Sequence, residues 1–398
     1  MFRLIYQIGI QLLIIYFKIA DLNGNPKAKA YNIGRKQWKE SLSGLHKDKS
    51  TYCIHAASHG EGLMAIPLIE KLLEKKECQI VISFFSPSGY NNFKYSHKNL
   101  FKIFLPIDTT KNAKEIIKII QPKHLVFVKY DLWMNLILES QKNDIPISIF
   151  SAKFNQKQWY FNPFSNWAKK SLQNISNILT IDKESKDFLN SKEFKNVIYC
   201  GDTRYDQVNT EISKPEININ KPCLIVGSSW EKEEQILSNV INDFPNIQFL
   251  IAPHEIDNKR LNEVRSHFGS KSKFYSEIDL SKELPNVIII DKVGLLADLY
   301  SISDIAFIGG GFTGKLHNII EPAAKGNTII FGPNHEKYPE AQLMLDEEIA
   351  YIIKDKFDLI KILKSIENFK NRKEKSINFV LKNKGATEVV YKTITETN

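Results

Sequence analysis

The chain has 398 residues, enough for two to three domains of about 100–200 residues each. With 43% hydrophobic and 11% aromatic residues it can bury a large core, which excludes disordered and fibrous proteins. Residues 1–40 carry seven Lys or Arg against two acidic side chains, so more than half of the net charge of +9 lies there. A basic segment of this kind attracts phosphates, nucleic acid or an anionic membrane.

The four cysteines are scattered singly in or beside apolar runs: Cys53, Cys78, Cys200 and Cys223. No pair has the spacing of a disulfide framework or, with histidine, of a zinc site. We expect small core residues in a reducing compartment, which predicts an intracellular protein.

The first twenty residues are almost entirely apolar, and no small-residue cleavage site follows them, which argues against a signal peptide. On a helix the polar side chains share one narrow stripe: Arg3, Gln7, Gln11 and Lys18. This pattern favours a helix in the membrane interface, with the stripe toward the headgroups. A tilted span and an ordinary buried helix are the alternatives. The basic run 27–39 would then lie against anionic lipid on the cytoplasmic side.

Short β-branched runs alternate with amphipathic segments along the rest of the chain, which predicts an α/β fold with parallel sheets. The predicted strands are 52–56, 79–85, 124–130, 147–152, 177–181, 197–200, 223–227, 247–252, 287–290, 305–308, 328–331 and 350–353. The predicted helices include 62–75, 111–120, 232–243, 257–267, 295–302 and 319–325.

The pattern restarts after a polar stretch, so we predict two doubly wound, Rossmann-like domains facing a cleft, with a ligand at the carboxyl ends of their strands. The predicted division is 1–40 for the membrane-associated segment, 41–208 for the first domain, 209–222 for the linker, 223–370 for the second domain and 371–398 for the last helices. Those last helices could pack on either domain.

The segment His55–Glu61 is a strand end followed by small residues and a helix start. Burial beside glycines could raise the pKa of Glu61 toward the range of a general base. The alternative is that Glu61 only caps the helix and favours its dipole.

The segment Val226–Glu234 is a strand, a Gly-Ser-Ser turn and a helix start. Hydroxyls and free backbone N–H groups there can hold a phosphate, which makes Ser228 and Ser229 candidates. An ordinary N-cap explains the same residues equally well.

The segment Gly309–Gly314 matches G-x-G-x-x-G after a strand, but it lies late in the chain and no acid ends the next strand. A dinucleotide site is therefore disfavoured against a general close approach of backbone to a phosphate or sugar.

Asn318 and Glu321 lie three residues apart, on one side of a first helical turn. Glu321 could hold both hydroxyls of a ribose, or the two residues could be a capping pair. The sequence has no DxD motif, P-loop, G-x-S-x-G elbow or carboxylate cluster at metal-ligand spacing. Its basic residues are not interleaved with aromatic ones as in nucleic-acid binders, so no nucleic-acid partner is expected.

Taken in order, these segments resemble the 3-deoxy-D-manno-octulosonic acid (Kdo) transferases of lipopolysaccharide synthesis, and the resemblance covers nearly the whole chain. Besides the apolar and basic amino terminus, the matching segments are His55–Glu61, Ser86–Gly89, Leu105–Asp108, Asp131–Asn135, Gly201–Asp206, Gly227–Glu234, Ala252–Glu255, Asp291–Leu296 and His317–Ala324.

The resemblance implies a two-domain GT-B fold and an inverting transfer of Kdo from CMP-Kdo to the lipid A precursor (lipid IVA), without metal or cofactor. It places the enzyme at an anionic membrane surface, the cytoplasmic face of the inner membrane. Glu61 matches the general base of the family. The positions that match its CMP-Kdo contacts are Pro253, His254, Val293, Gly294, Leu295, Asn318, Ile319, Ile320 and Glu321, and Ser228 and Ser229 are further phosphate candidates.

The sequence departs from the family at three places. The family's ETELW begins with Lys129 here, the arginine that follows Pro253 is His254, and the loop before His317 is one residue shorter. Three other functions are alternatives: a GT-B enzyme using a UDP-sugar on another membrane lipid, a nicotinamide (NAD-dependent) oxidoreductase built on Gly309–Gly314, and a non-catalytic membrane adaptor. The adaptor is disfavoured because it would need no general-base carboxylate.

Overall fold

The computed structural model describes residues 2–212, 215–369 and 372–396. The chain forms two compact units: the first comprises residues 1–207 and 384–398, and the second comprises residues 208–383. Each unit is described by itself below.

The first unit contains a seven-stranded parallel sheet with the order β3-β2-β1-β4-β5-β6-β7. Its strands are β1 (Ser50–Ala56), β2 (Cys78–Phe84), β3 (Leu100–Phe104), β4 (His124–Val128), β5 (Ile147–Ala152), β6 (Asn177–Thr180) and β7 (Val197–Tyr199). Its helices up to the second unit are α1 (Phe2–Leu22), α2 (Pro26–Lys36), α3 (His59–Lys75), α4 (Pro87–Asn92), α5 (Thr110–Ile120), α6 (Met134–Lys142), α7 (Asn166–Gln173), α8 (Lys183–Ser191) and α9 (Arg204–Gln207).

The second unit contains another seven-stranded parallel sheet, with the order β10-β11-β9-β8-β12-β13-β14. Its strands are β8 (Cys223–Ser229), β9 (Gln248–Pro253), β10 (Ser272–Phe274), β11 (Val287–Ile289), β12 (Ile305–Ile308), β13 (Thr328–Phe331) and β14 (Ala350–Ile352). Its helices are α10 (Glu231–Ser238), α11 (Asn258–Phe268), α12 (Leu296–Leu299), α13 (Ile320–Ala324), α14 (Pro339–Asp346), α15 (Lys356–Leu363), α16 (Ile366–Phe369) and α17 (Lys373–Lys382).

The final helices divide between the two units. Helix α17 packs against α13 in the second unit, whereas α18 (Ala386–Glu396) returns to the first unit and packs against α3. The sequence does not decide which domain these helices join; in the structure one helix joins each unit.

The core of the first sheet lies on both of its faces, as expected for parallel strands covered by helices. Alternate residues of one strand enter different apolar clusters: Leu125 and Phe127 of β4 join one cluster, and Val126 joins the other. All of these side chains are buried. This explains why the strands read as continuous apolar runs in the sequence.

Each of the twelve predicted strands overlaps an observed one, so the parallel α/β prediction is confirmed. The two missed strands, β3 and β10, are the outer strands at one edge of each sheet. Both are short and contain a lysine, Lys102 in β3 and Lys273 in β10. Charged, short edge strands prevent edge-to-edge association, and the same features weaken their sequence signal.

The first strand of each unit lies inside its sheet, and the strand order reverses beside it, between β1 and β4 in the first unit and between β8 and β12 in the second. Parallel α/β sheets bind ligands outside the carboxyl ends of the strands at such a reversal. The two reversals are therefore the places to look for function.

Candidate active site

Glu61 lies at the reversal point of the first unit, in the first turn of α3, which follows β1. Its Oε2 atom accepts hydrogen bonds from the backbone N–H groups of Ala57 at 2.6 Å and Ser58 at 3.1 Å. Oε1 has no hydrogen-bond partner among the described residues. One oxygen thus caps the helix while the other is available to a ligand, so capping and chemistry are compatible.

A polar network lies beside Glu61, where β1 and β4 run side by side. The buried His55 contacts Ser83 Oγ through Nδ1 at 2.9 Å and Asp131 Oδ2 through Nε2 at 3.2 Å. The indole N–H of Trp133 donates to His55 Nε2 at 3.1 Å and to Asp131 Oδ2 at 3.2 Å. These contacts fix the Asp131–Trp133 loop against the strand that leads to Glu61.

Burial raises the pKa of Glu61 above its usual range, Lys129 and His55 oppose the rise, and Asp131 adds to it. A carboxylate with a raised pKa, held at a strand end beside charged neighbours, is suited to accept a proton. Lys129 also has φ of 63°, in the left-handed region that a lysine seldom adopts. Strained backbone of this kind concentrates at functional sites.

The reversal point of the second unit carries aromatic rings instead of charges. Trp230 follows β8, His254 follows β9, and His317 ends the loop after β12. The His254 and His317 ring centroids are 4.5 Å apart, those of Trp230 and His254 are 4.7 Å apart, and the indole N–H donates to His317 Nε2 at 3.2 Å. Burial lowers the pKa of His317 to about 4, with His254 adding to the effect, so its ring is neutral at pH 7.

The carboxylates near this point face inward. Glu233 accepts a hydrogen bond from the backbone N–H of Gly310 at 2.9 Å, and Glu234 accepts one from the hydroxyl of Ser229 at 2.6 Å. Ser229 is fully buried, so the structure does not place its hydroxyl where a phosphate can reach it. Ser228 is half-buried and has φ of 53°, which leaves it as the candidate of the pair.

The glycines of Gly309–Gly314 are required by close backbone packing within the unit. A Cβ atom at Gly309 would lie 2.0 Å from the Ser228 carbonyl oxygen, and one at Gly311 would lie 2.4 Å from the Gly332 nitrogen. The segment forms turns closed by the bond from the His317 N–H to the Gly309 carbonyl, and no helix begins in it. It therefore lacks the strand–turn–helix geometry of a dinucleotide fingerprint, which removes the support for the oxidoreductase alternative.

The other predicted donor contacts lie at the same end of the second sheet. Pro253 ends β9, and the His254 N–H donates to the Ser229 carbonyl at 3.1 Å. After β11 come Val293, Gly294 and Leu295; Val293 is 85% exposed and Gly294 has φ of 92°. None of Val293, Gly294 and Leu295 has a charged side chain, so these three residues offer a ligand mainly their backbone groups.

The segment from Asn318 to Glu321 opens α13. Asn318 Oδ1 accepts the Ile320 N–H at 3.0 Å, and the side chains of Ile319 and Ile320 are fully buried, so only their backbone can meet a ligand. Burial raises the pKa of the half-buried Glu321, and Lys325 opposes the rise. No side chain among the described residues hydrogen-bonds the Glu321 carboxylate, so it is free to bind a polar group.

Comparison with known proteins identifies sequence relatives and proteins of similar fold. The family described as "3-Deoxy-D-manno-octulosonic-acid transferase (kdotransferase)" matches residues 36–207. A bifunctional glycosyltransferase/methyltransferase of Fusobacterium nucleatum is 30% identical over 90% of this chain, and the chain spans 59% of its length. The 3-deoxy-D-manno-octulosonic acid transferases of Aquifex aeolicus and Rickettsia bellii are 24% and 25% identical, over 83% and 100% of this chain and 89% and 99% of their own lengths.

The chain is thus similar in sequence to the Kdo transferase family. Among solved structures, UDP-GlcNAc 2-epimerase of Neisseria meningitidis superposes with a TM-score of 0.63, covering 87% of this chain and 100% of that one at 14% identity. A glycosyltransferase of Rickettsia africae gives 0.55, over 88% and 100%, also at 14% identity. These likenesses concern the fold alone, and they confirm the predicted GT-B fold class.

The structure brings together functional candidates that the sequence did not single out. Trp230 and His317 were only parts of longer motifs, and the pairing of His55 with Asp131 joins residues 76 positions apart. The available signal was that each follows or ends an apolar strand. The sequence alone does not show which strand ends are neighbours in the sheet.

The amino-terminal helix α1 rests on the first unit by one face. Tyr6 donates its hydroxyl to Asp108 at 2.6 Å, Gln7 donates to Asn135 Oδ1 at 2.6 Å, and Ile10 is buried. Gln7 therefore faces the protein, and its predicted place in a stripe directed at headgroups is wrong. A short amide on an apolar helix can be satisfied by a protein partner as well as by water.

The opposite face of α1 is apolar and open. At least half of each of its side chains is exposed: Leu4, Ile5, Ile8, Leu12, Ile15, Tyr16 and Ile19. The helix is long and apolar enough to cross a membrane by length and composition, and only 6% of that stretch is buried. It is thus not an ordinary buried core helix, which was one alternative from the sequence.

Proposed function

We propose that the chain transfers Kdo from CMP-Kdo to the lipid A precursor (lipid IVA), with inversion and without a metal, and releases CMP. Similarity to the Kdo transferase family supports the reaction class. The observation that carries the proposal is the Glu61 carboxylate at the β1–β4 reversal, with one oxygen held by the backbone and the other open.

In the proposed step Glu61 takes the proton of an acceptor sugar hydroxyl while that oxygen attacks the anomeric carbon of Kdo. The bond from this carbon to the phosphate oxygen of CMP breaks, and CMP leaves with the electron pair. The attack occurs on the face opposite the leaving group, which inverts the configuration. The raised pKa of Glu61 suits a base that must hold a proton during the step.

The second unit is proposed to bind CMP-Kdo. Glu321 and Asn318 would contact the ribose, and the exposed backbone from Val293 to Leu295 would contact the nucleotide, as would Pro253 and His254. Backbone N–H groups at helix starts favour a developing phosphate charge without a cation. Ser228 is the further phosphate candidate.

The membrane location is proposed from α1 and the basic segment that follows it. A helix packed by Tyr6 and Gln7 on one face and apolar on the other fits a position in the membrane interface better than a span, because a span would lose both hydrogen bonds. The acceptor is a lipid, so attachment at the cytoplasmic face of the inner membrane would bring the enzyme to it.

The proposal is tested by incubating the full chain with CMP-Kdo and a lipid A precursor in the presence of a chelator and reading the products by mass spectrometry. The expected product is the precursor carrying one or more Kdo residues, together with free CMP. Transfer from a UDP-sugar instead, with thermal stabilisation by UDP and none by CMP, would establish the alternative GT-B activity and overturn this one.

A further inference from the structure

A cavity of about 520 Å³ lies in the first unit, between α1 and the segment that follows it. Its lining combines basic side chains with apolar ones. The basic groups are Lys18, Arg35 and Lys36, and the apolar wall includes Ile14, Leu22 and Trp38. None of these residues takes part in the donor or acceptor chemistry proposed above.

The positive charges of this cavity outnumber its negative charges by three to one. None of Lys18, Arg35 and Lys36 forms an ion pair with a described residue. The single carboxylate in the lining, Asp21, already accepts a hydrogen bond from Asn32 at 2.9 Å. The cavity therefore favours an anion.

Arg35 gives the strongest support for an anion site. Its Nε–H donates to the Leu105 carbonyl at 2.6 Å, but Nη1 and Nη2 are buried and have no hydrogen-bond partner. The guanidinium lies over three rings, those of Tyr31, Phe85 and Phe17, at 2.7, 4.7 and 5.6 Å from their centroids. Burial with no compensating carboxylate lowers the pKa of Arg35 to about 8. Rings offset part of this penalty, and an anion would offset more.

The cavity also adjoins the open apolar face of α1. Lys18 and Leu22 are one helical turn apart on the side of α1 that lines the cavity, and Leu22 is 87% exposed. Ile15 and Ile19, on the neighbouring open face, are half exposed. A molecule with a charged head in the cavity could lay an apolar tail along these side chains.

We propose that this cavity binds the phosphate of a membrane lipid, with Lys18, Arg35 and Lys36 supplying the positive charge and the edge of α1 contacting the acyl chains. The site deepens the proposed membrane attachment. Its binding is measured without any sugar transfer, so either proposal can fail while the other holds.

The test uses the full chain and dihexanoyl phosphatidic acid below its critical micelle concentration, with binding followed by calorimetry. A monomeric lipid is chosen so that attachment to a bilayer is not what is measured. Dihexanoylglycerol, which lacks the phosphate, and inorganic phosphate, which lacks the chains, are both expected to bind at least about tenfold more weakly. Equal affinity for inorganic phosphate would overturn the lipid assignment.

A charge-matched pair of variants locates the site. Lys18→Gln with Lys36→Gln is expected to weaken phosphatidic acid binding by about tenfold or more, through loss of charge-assisted contacts. Lys27→Gln with Lys29→Gln removes the same charge from exposed positions outside the cavity and should leave binding unchanged. An equal loss in both double variants would mean general attraction to a basic segment and would overturn the proposal.

Arg35→Leu separates a ligand-binding arginine from a structural one. If Arg35 binds the lipid phosphate, this variant loses lipid binding. Its melting temperature without lipid should be unchanged or higher, because an unpaired buried cation destabilises the protein. A marked fall in melting temperature with lipid binding retained would show a structural role and contradict the proposal. Should the variant fail to fold, the lysine pair decides alone.

Discussion

The two units have related sheets and place their candidate residues at the same topological point, yet they fill that point with different chemistry. In the first unit the strand ends carry ionisable groups: Glu61, His55, Lys129 and Asp131. In the second the strand ends carry the rings of Trp230, His254 and His317, and the acids Glu233 and Glu234 face inward to hold the glycine loop and a serine.

This difference indicates a division of labour on a common scaffold. Ionisable groups with opposed effects on one carboxyl pKa are what a proton transfer needs. An aromatic surface with exposed backbone suits a planar, anionic donor, because rings stack on a base and N–H groups meet a phosphate. The reversal point fixes where a ligand binds, and the side chains there decide which task the unit performs.

The largest expected effect comes from removing the proton acceptor of the first unit. Glu61→Gln keeps an oxygen that can accept the Ala57 and Ser58 N–H groups, so the helix cap should survive. Turnover should fall about 10²–10⁴-fold, while CMP binding, measured by calorimetry, stays unchanged. Glu184→Gln, at an exposed first turn of α8, is the matched control and should be fully active. Near-normal turnover of the Glu61 variant would contradict the assignment.

The parallel strands and the candidate Glu61 at the start of α3 could be predicted from the sequence, because both depend on local pattern. Residues 125–128 of β4 form a continuous apolar run, and Glu61 follows small residues at a strand end. The His55–Asp131 contact and the ring cluster at Trp230 could not be predicted, because both depend on which distant strands are neighbours in the sheet. The sequence also does not show that Gln7 faces the protein.

The second effect concerns α1, which belongs to the first unit alone. The triple variant Ile8→Gln, Leu12→Gln and Ile15→Gln changes side chains that are half exposed already, so the melting temperature should hold. Each substitution removes about 1 kcal/mol of the free energy gained by burying an apolar side chain in lipid. Together the three should weaken vesicle binding about a hundredfold.

The second unit supplies the control for this membrane prediction. Changing Leu343, Phe357 and Leu381 to Gln removes three comparably exposed apolar side chains there, and co-sedimentation with anionic vesicles should not change. If both triple variants lose vesicle binding equally, the apolar face of α1 is not the attachment surface.

The third effect tests the nucleotide side of the comparison. Glu321→Ala should weaken CMP binding by about tenfold, the loss of one charge-assisted hydrogen bond from a half-buried carboxylate. The same variant should leave vesicle binding untouched. Glu283→Ala, at an exposed position of the same unit, should bind CMP normally. Unchanged CMP affinity by calorimetry would show that Glu321 does not bind the nucleotide and only forms part of the start of α13.

The smallest effect concerns Lys129, which directly follows β4 and acts electrostatically on Glu61. Its ammonium opposes the rise that burial gives to the pKa of Glu61. Lys129→Met removes that opposition, so the pKa of Glu61 rises further. A general base works in its ionised form, and activity is lost as the pH falls through its pKa. The acid limb of kcat/KM against pH should therefore move to higher pH, by less than about one unit because Lys129 is half-exposed and screened by solvent.

Lys129→Arg is the matched control for this shift, because it keeps the charge and the limb should stay in place. Lysine, methionine and arginine share the cost of the left-handed backbone at this position, so strain does not separate the two variants. Above the acid limb all three enzymes should turn over at similar rates, which distinguishes a change in pKa from a loss of the site. A limb that stays fixed in Lys129→Met would show that the lysine charge does not reach Glu61. A limb that moves equally in both variants would point to the shape of the loop instead of its charge.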